Sequence, residues 1–210
     1  LSQLLNSDTN SLMKTPIILA SSSPFRQQIL KKIALPFASF SPDIDESSLE
    51  GESPQSLVHR LSENKAQEAA KHFSDGLAIG SDQVAVFNNK VLGKPHTKEN
   101  AIKQLSLFSG QCVTFYTGLS VFCIEEQRSI TKVVPFKVYF RELTETQISN
   151  YLDLEQPYNC AGSFKSEGLG ICLFNKLEGE DPNTLIGLPL IELTKILAEF
   201  GVDVLSQASQ

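Results

Sequence analysis

A chain of 210 residues and 23.1 kDa has room for one compact domain with a sizeable core. Its 41% hydrophobic and 20% charged residues are ordinary for a water-soluble fold. The formal net charge of −6 argues against a general nucleic-acid binder, which needs a basic field, but leaves room for a small polyanion held by local cations.

The first residues, LSQLLNSDTNSL, are polar and without a strong period, and Met13 follows them. Residues 1–12 are therefore expected to be an extension, either disordered or mis-assigned, with residues 13–210 forming a single domain. Ile17–Ala20 reads as a short buried strand, and Pro24 suits the first position of a helix. Ser21, Ser22 and Ser23 then lie in the loop feeding that helix, with Arg26 in its first turn. Serine before proline is an ordinary helix cap. Free N–H groups, hydroxyls and a guanidinium at one helix start also make a seat for phosphate. Both readings stay open on this segment alone.

The loop SPDIDESS carries Asp43, Asp45 and Glu46. A second helix is expected from Ser53 as cap, through Pro54, to about His72, with Leu57, Val58, Leu61 and Ala69 on its apolar stripe. Lys65 falls on that stripe, where a lysine either snorkels to solvent or meets a buried or cleft-bound anion. LAIGSDQVAVF reads as a strand with Asp82 just past its apolar entry, and Asn88-Asn89 as the turn of a hairpin returning to Gly93-Lys94-Pro95. Thr97 caps a third helix ending near Gly110. Cys112 to Phe140 is mainly β, in two runs separated by EEQRS. Thr144 and Gln147 form a capping-box signal for a helix reaching about Glu155. AGSFKSEG, a strand LGICLF, the acidic turn EGEDPN and a last helix from Pro189 to Phe200, closed by Gly201, complete the chain. The mixture predicts a mixed α/β fold around one twisted sheet.

The four cysteines, Cys112, Cys123, Cys160 and Cys172, form no CxxC pair or zinc-type spacing. All but Cys160 sit in apolar runs, so buried free thiols in a reducing cytoplasm are expected. The three histidines are scattered. No stretch reads as a signal peptide or as a membrane span of about twenty apolar residues.

Arg26, Lys65, Lys94 and Lys165 are cations beside predicted strand ends or helix starts, and Glu46 and Asp82 are carboxylates in separate segments. Nucleotide hydrolysis needs both sets: cations to neutralise phosphates, carboxylates to hold magnesium and orient water. No Walker A loop, complete dinucleotide fingerprint or GxSxG elbow is present.

ASSSPFR, PDIDE, NKA (Asn64–Ala66), IGSDQV, GKP (Gly93–Pro95), TFYTGL, CAGSFKSEG and DPNTLIGLPL, in that order, resemble the Maf family of nucleoside triphosphate pyrophosphatases from Ile17 to about Leu205. The resemblance implies a mixed α/β fold of two lobes around a central cleft, related to the inosine-triphosphate pyrophosphatases. It further implies a divalent metal (Mg2+ or Mn2+), hydrolysis of a nucleoside triphosphate to monophosphate and pyrophosphate, and a homodimer; the charge and the lack of an apolar span add the expectation of no nucleic-acid or membrane partner. Carried over by position, Ser21, Arg26, Lys65 and Lys94 would hold phosphates. Glu46 and Asp82 would serve the metal and the water. Ser23 and Lys165 join the expected substrate contacts. The family usually assigns the counterpart of Asp82 as proton acceptor; the residues alone do not separate general base from metal ligand.

The family's branches differ at three positions. This chain has Phe25 where the pyrimidine-preferring branch resembles SPRR, Gln83 where that branch tends to threonine, and Glu167 where it tends to glutamine. Glutamine offers a donor and an acceptor, matching the C=O and N3–H of uracil or thymine; an ionised glutamate offers acceptors only. Its oxygens match the N1–H and N2–H₂ of guanine, and N7-methylation makes that base cationic. An aromatic face at Phe25 adds a cation–π contact of roughly 0.5–2 kcal/mol. All three positions resemble the branch acting on 7-methyl-GTP, although that branch often has tryptophan at Phe25. Alternatives are a broader house-cleaning enzyme for non-standard or pyrimidine triphosphates, or a nucleotide-binding regulator of cell division.

Overall fold

The computed structural model describes residues 15–207, so the expected extension at 1–12 lies outside the described residues. A single mixed sheet of seven strands organises the chain. In chain order the elements are β1 (Ile17–Ala20), α1 (Pro24–Leu30), β2 (Phe37–Phe40), α2 (Pro54–Gln67), β3 (Leu77–Phe87), β4 (Lys90–Leu92) and α3 (Lys98–Phe108). There follow β5 (Cys112–Cys123), β6 (Arg128–Phe140), α4 (Glu145–Glu155), β7 (Phe174–Glu178), α5 (Pro182–Ile186), α6 (Leu190–Glu199) and α7 (Val204–Gln207). The strand order is β2-β1-β3-β5-β6-β7, with β4 as a short hairpin partner of β3. β1 runs parallel to β2 and β3, and every other pairing is antiparallel.

The long strands explain the two lobes. β3, β5 and β6 each run from one apolar core into another. Leu77, Ile79, Leu119 and Val121 pack with β1 and α6 at one end. Ala85, Val113, Phe115, Phe136 and Val138 pack with α3 and α4 at the other. Between these cores the strands carry polar side chains: Ser81, Asp82 and Gln83 on β3, and Thr117 opposite Gln83 on β5. Side chains alternate along β3, so Asp82 lies on the face covered by α2 and Ser81 and Gln83 on the face met by the segment 184–187, and the cavity is lined by both Asp82 and Gln83.

Local chemistry accounts for most boundaries. Ser53, Thr97 and Thr144 each cap a helix through the side-chain oxygen, and Thr144 and Gln147 complete the capping box. Asn88 and Asn89 both adopt positive φ, the geometry a two-residue hairpin needs. α2 lies directly on the sheet because Gly80 and Gly118 lack side chains. A Cβ on Gly80 would collide with the Ser62 carbonyl, and one on Gly118 with the Val58 carbonyl.

Two expectations are corrected, and two elements are added. LGICLF is not a strand: Leu169–Leu173 is a 3-10 turn, and β7 begins at Phe174. Gly170 backs onto the Lys165 carbonyl, and Ile171 N–H donates to the Gly168 carbonyl, so the chain curls before it can extend. The thiols of Cys112 and Cys172 are exposed and only that of Cys123 is buried. Cys112 opens β5 on the outward pleat, and Cys172 sits in the 3-10 turn. Finally, β2 and α5 were not anticipated: the first is a four-residue edge strand and the second a single turn started by Asp181 and Pro182.

Candidate active site

A cavity of about 750 Å³ opens over the middle of the sheet, a volume typical of small-molecule sites. It is lined by Ser21, Ser23, Phe25 and Arg26 from the β1–α1 loop, Glu46 from the loop before α2, and Lys65 from α2. Asp82 and Gln83 of β3, Lys94 after β4, and Lys165 complete the expected set on its walls. A smaller adjoining cavity of about 120 Å³ shares Phe25, Gln83 and Lys94 with the first and adds Glu167, Leu185 and Ile186. Folding thus gathers every candidate residue around two adjoining hollows.

At the floor, Lys65 Nζ lies 2.8 Å from Asp82 Oδ1 and 2.9 Å from Glu46 Oε1. The Lys65 side chain is 8% exposed, that of Asp82 13% and that of Glu46 60%. Lys65 therefore meets anions and does not snorkel. The geometry follows from helix packing: with α2 pressed onto Gly80 and Gly118, the stripe of Leu57, Val58 and Leu61 is buried and carries Lys65 down with it.

Arg26 donates from Nε to the Gly187 carbonyl at 2.9 Å. Burial lowers the guanidinium's pKa, and the nearby charges of Asp82 and Glu46 oppose that shift. Ser23 Oγ accepts from the Arg26 N–H at 3.4 Å, and Ser21 Oγ from the Ser23 N–H at 3.1 Å. Ser23 is thus a helix cap that also faces the cavity, and Arg26 is aimed by the last third of the chain. Lys165 Nζ donates to the Glu155 carbonyl at 3.1 Å.

Gln83 is held firmly. Its Nε2 donates to Thr117 Oγ1 and the Thr184 carbonyl, both at 2.9 Å, and to the Leu185 carbonyl at 3.3 Å. Two backbone carbonyls can only accept, so they fix which end of the carboxamide is nitrogen. The oxygen is left as the end available to a ligand. Ser81 Oγ also donates to the Gly187 carbonyl at 2.9 Å. The segment 184–187 therefore supports Gln83, Ser81 and Arg26 together through main-chain oxygens.

The Glu46 loop has its own brace. Arg60 donates from Nε to Glu52 Oε1 at 2.7 Å, from Nη2 to Glu52 Oε2 at 2.8 Å, and to the Ser47 carbonyl at 2.9 Å. This fork lowers Glu52 to a pKa of about 2. Sequence reasoning missed Arg60, Glu52 and Thr117, and also Asn159 and Cys160, which line both cavities. Burial pushes the Cys160 thiol upward.

Among the described residues no group of three or more His, Cys, Asp or Glu side chains is placed to hold a metal ion. The carboxylates of Glu46 and Asp82 converge on one ammonium, however. Two hard oxygen donors suit magnesium, which keeps waters and completes its shell with substrate phosphates. Among the described residues no helix is long and apolar enough to cross a membrane.

A model of the family described as Maf-like protein matches residues 16–200. The chain is 66% identical over 197 residues to a 7-methyl-GTP pyrophosphatase of Pseudoalteromonas translucida, covering 94% of this chain and 98% of that one. It is 56% identical over 198 residues to a 7-methyl-GTP pyrophosphatase of Colwellia psychrerythraea, covering 94% and 98%. A solved structure of a HAM1 protein from Coxiella burnetii is similar at a TM-score of 0.47 and 13% identity, covering 88% of this chain and 99% of that one.

Proposed function

This chain belongs to the Maf-like protein family, and from that premise we propose that it is a nucleoside triphosphate pyrophosphatase converting 7-methyl-GTP to 7-methyl-GMP and pyrophosphate. It is a hydrolase of phosphorus anhydrides. The observation that carries the reading is the buried Lys65 ammonium joining Asp82 and Glu46 beneath a cavity walled by Arg26 and Lys94. A module built only to bind a nucleotide has no need of two carboxylates set against its phosphate cations. That argues for turnover over a purely regulatory role.

In this reading Arg26, Lys65, Lys94 and the hydroxyl of Ser21 hold the triphosphate and offset its charge. Ser23 and Lys165 line the same path. Glu46 and Asp82 would hold a divalent cation, Mg2+ or Mn2+, which when bound would neutralise charge developing on the reacting phosphate. Water oxygen bonds to the α-phosphorus, the bond to the bridging oxygen breaks, and pyrophosphate leaves with the electron pair. Asp82, held by Lys65, accepts the water's proton.

Phe25, Gln83 and Glu167 read the base. Glu167 accepts from the N1–H and N2–H₂ of guanine, Phe25 stacks on the ring, and Gln83 offers a carbonyl oxygen. An acceptor-rich wall favours a base that is rich in donors and made cationic by N7-methylation over uracil or thymine. The same reading includes a cytoplasmic homodimer, on the family resemblance alone.

The test is pyrophosphate release with magnesium from 7-methyl-GTP, GTP, UTP and dTTP. A preference for 7-methyl-GTP of about tenfold or more supports the reading. A pyrimidine preference would keep the catalytic assignments and discard the base assignment. No release from any nucleotide would leave the regulatory alternative.

A further inference from the structure

We propose that Tyr151 and Glu155 of α4 are positioning residues of the base subsite, fixing the segment 165–169 and through it the carboxylate of Glu167. This rests on the reading of Glu167 as the residue that faces the base. Glu167 is exposed, and among the described residues its carboxylate has no hydrogen-bond partner. Its own side chain therefore does not place it; the backbone on either side must.

Both flanks are tied to the last turns of α4. Ahead of Glu167, the Lys165 N–H donates to the Tyr151 hydroxyl at 3.0 Å, and Lys165 Nζ to the Glu155 carbonyl at 3.1 Å. Behind it, the Leu169 N–H donates to Glu155 Oε2 at 3.3 Å. Gly168 lies flat against the same carboxylate: a Cβ there would stand 2.5 Å from Glu155 Oε1. Between the ties, the Gly168 N–H turns back to the Lys165 carbonyl at 3.3 Å. The anchor is rigid, because α4 is started by the capping box and buries Ile148, Tyr151 and Leu152. Burial also raises the Tyr151 phenol's pKa far above its ordinary value, keeping it neutral.

The reason to hold such a segment is entropic. An exposed carboxylate on a mobile turn must be ordered each time a base docks, at a cost in backbone conformational entropy. A segment already tied at both ends avoids that loss, and the gain falls on substrates that use Glu167.

The test measures kcat and KM for 7-methyl-GTP and UTP in the wild type, Tyr151→Phe, Glu155→Ala and Glu167→Ala, and in Glu167→Ala combined with each of the others. Removing either tie is expected to lower the 7-methyl-GTP preference by about tenfold, mainly through KM. In the Glu167→Ala background the same changes should leave that preference unmoved, because no base-facing side chain is left to position. An unchanged preference in both single variants, or equal losses in both backgrounds, overturns the proposal. Glu155 is at the end of α4, so Glu155→Ala carries the test if Tyr151→Phe does not fold. A wild type releasing no pyrophosphate counts against the proposed function instead. Amide hydrogen exchange then decides the clamp: Lys165 and Leu169 should exchange slowly in the wild type and faster when their partner is removed. Equal exchange overturns it.

Discussion

Lys65 and Asp82 are 17 positions apart, on α2 and β3, and their charged groups meet at 2.8 Å under the cavity. The pair is mostly buried and shares its ammonium with Glu46 at 2.9 Å. One cation thereby keeps two carboxylates close that would otherwise repel each other.

Asp82→Asn should lower kcat by about 10²–10⁴, the range supplied by a positioned proton acceptor. The fold should survive. A charge left unpaired in a buried ion pair costs roughly 3–5 kcal/mol, but Glu46 still pairs with Lys65, so the loss should be well below that. Pyrophosphate release and thermal melting by circular dichroism read the two effects. Near-normal turnover would remove Asp82 from the chemistry.

Chelation of divalent cations should abolish turnover, and Mg2+ or Mn2+ should restore it. Glu46→Gln removes one of two hard anionic donors, so restoration should need at least about tenfold more metal, the lower end of what an altered metal shell costs. Titration of activity against Mg2+ gives the midpoint. An unshifted midpoint would exclude Glu46 as a ligand.

Glu167→Gln replaces an acceptor pair by one acceptor and one donor. Loss of a charge-assisted contact costs about 1.5–3 kcal/mol, so the 7-methyl-GTP preference should fall by roughly ten- to a hundredfold. The ratio of kcat/KM for 7-methyl-GTP and UTP measures it; an unchanged ratio would place the specificity elsewhere.

Gln83→Leu keeps the volume but withdraws the donor from the Thr184 and Leu185 carbonyls and from Thr117 Oγ1. The expected cost is about 1–3 kcal/mol of stability, together with weaker binding of the preferred nucleotide. Urea denaturation followed by circular dichroism suits a chain with no tryptophan.

The Arg60–Glu52 fork should shape the acid limb of stability. Glu52 titrates near 2 in the folded protein, against an ordinary value of 4.5. A carboxylate lowered in this way stabilises fully above its unfolded pKa and loses the contribution as pH falls from about 4.5 toward 2. The stability difference between wild type and Arg60→Ala should therefore narrow across that interval. Denaturation curves at several pH values check this, and a difference that grows toward low pH would contradict it.

Much of the fold was legible because local chemistry sets it. Caps at Ser53, Thr97 and Thr144, the Asn88-Asn89 turn and the apolar runs of β3, β5 and β6 act within a few residues. The segment around Leu169 misled because LGICLF has strand composition, whereas the contact that curls it lies with the Lys165 backbone. Likewise β2 is a four-residue edge strand whose extended form depends on its pairing with β1.

The site divides in the same way. Residue types and their order named the cations and the carboxylates, since chemistry demands particular functional groups, and the family resemblance named the three positions proposed to read the base. The sequence left Lys65 between solvent and anion, and only the packing of α2 on Gly80 and Gly118 decided it. The supports of Gln83 and Arg26 are carbonyls of Thr184, Leu185 and Gly187. Main-chain oxygens are the same in every residue, so no sequence pattern announces them. Tyr151 and Glu155 stayed hidden too, because α4 and the segment 165–169 meet only after the chain has closed over its second core. Sequence determined which groups could do the chemistry; tertiary structure decided where each is held, through contacts that no local pattern encodes.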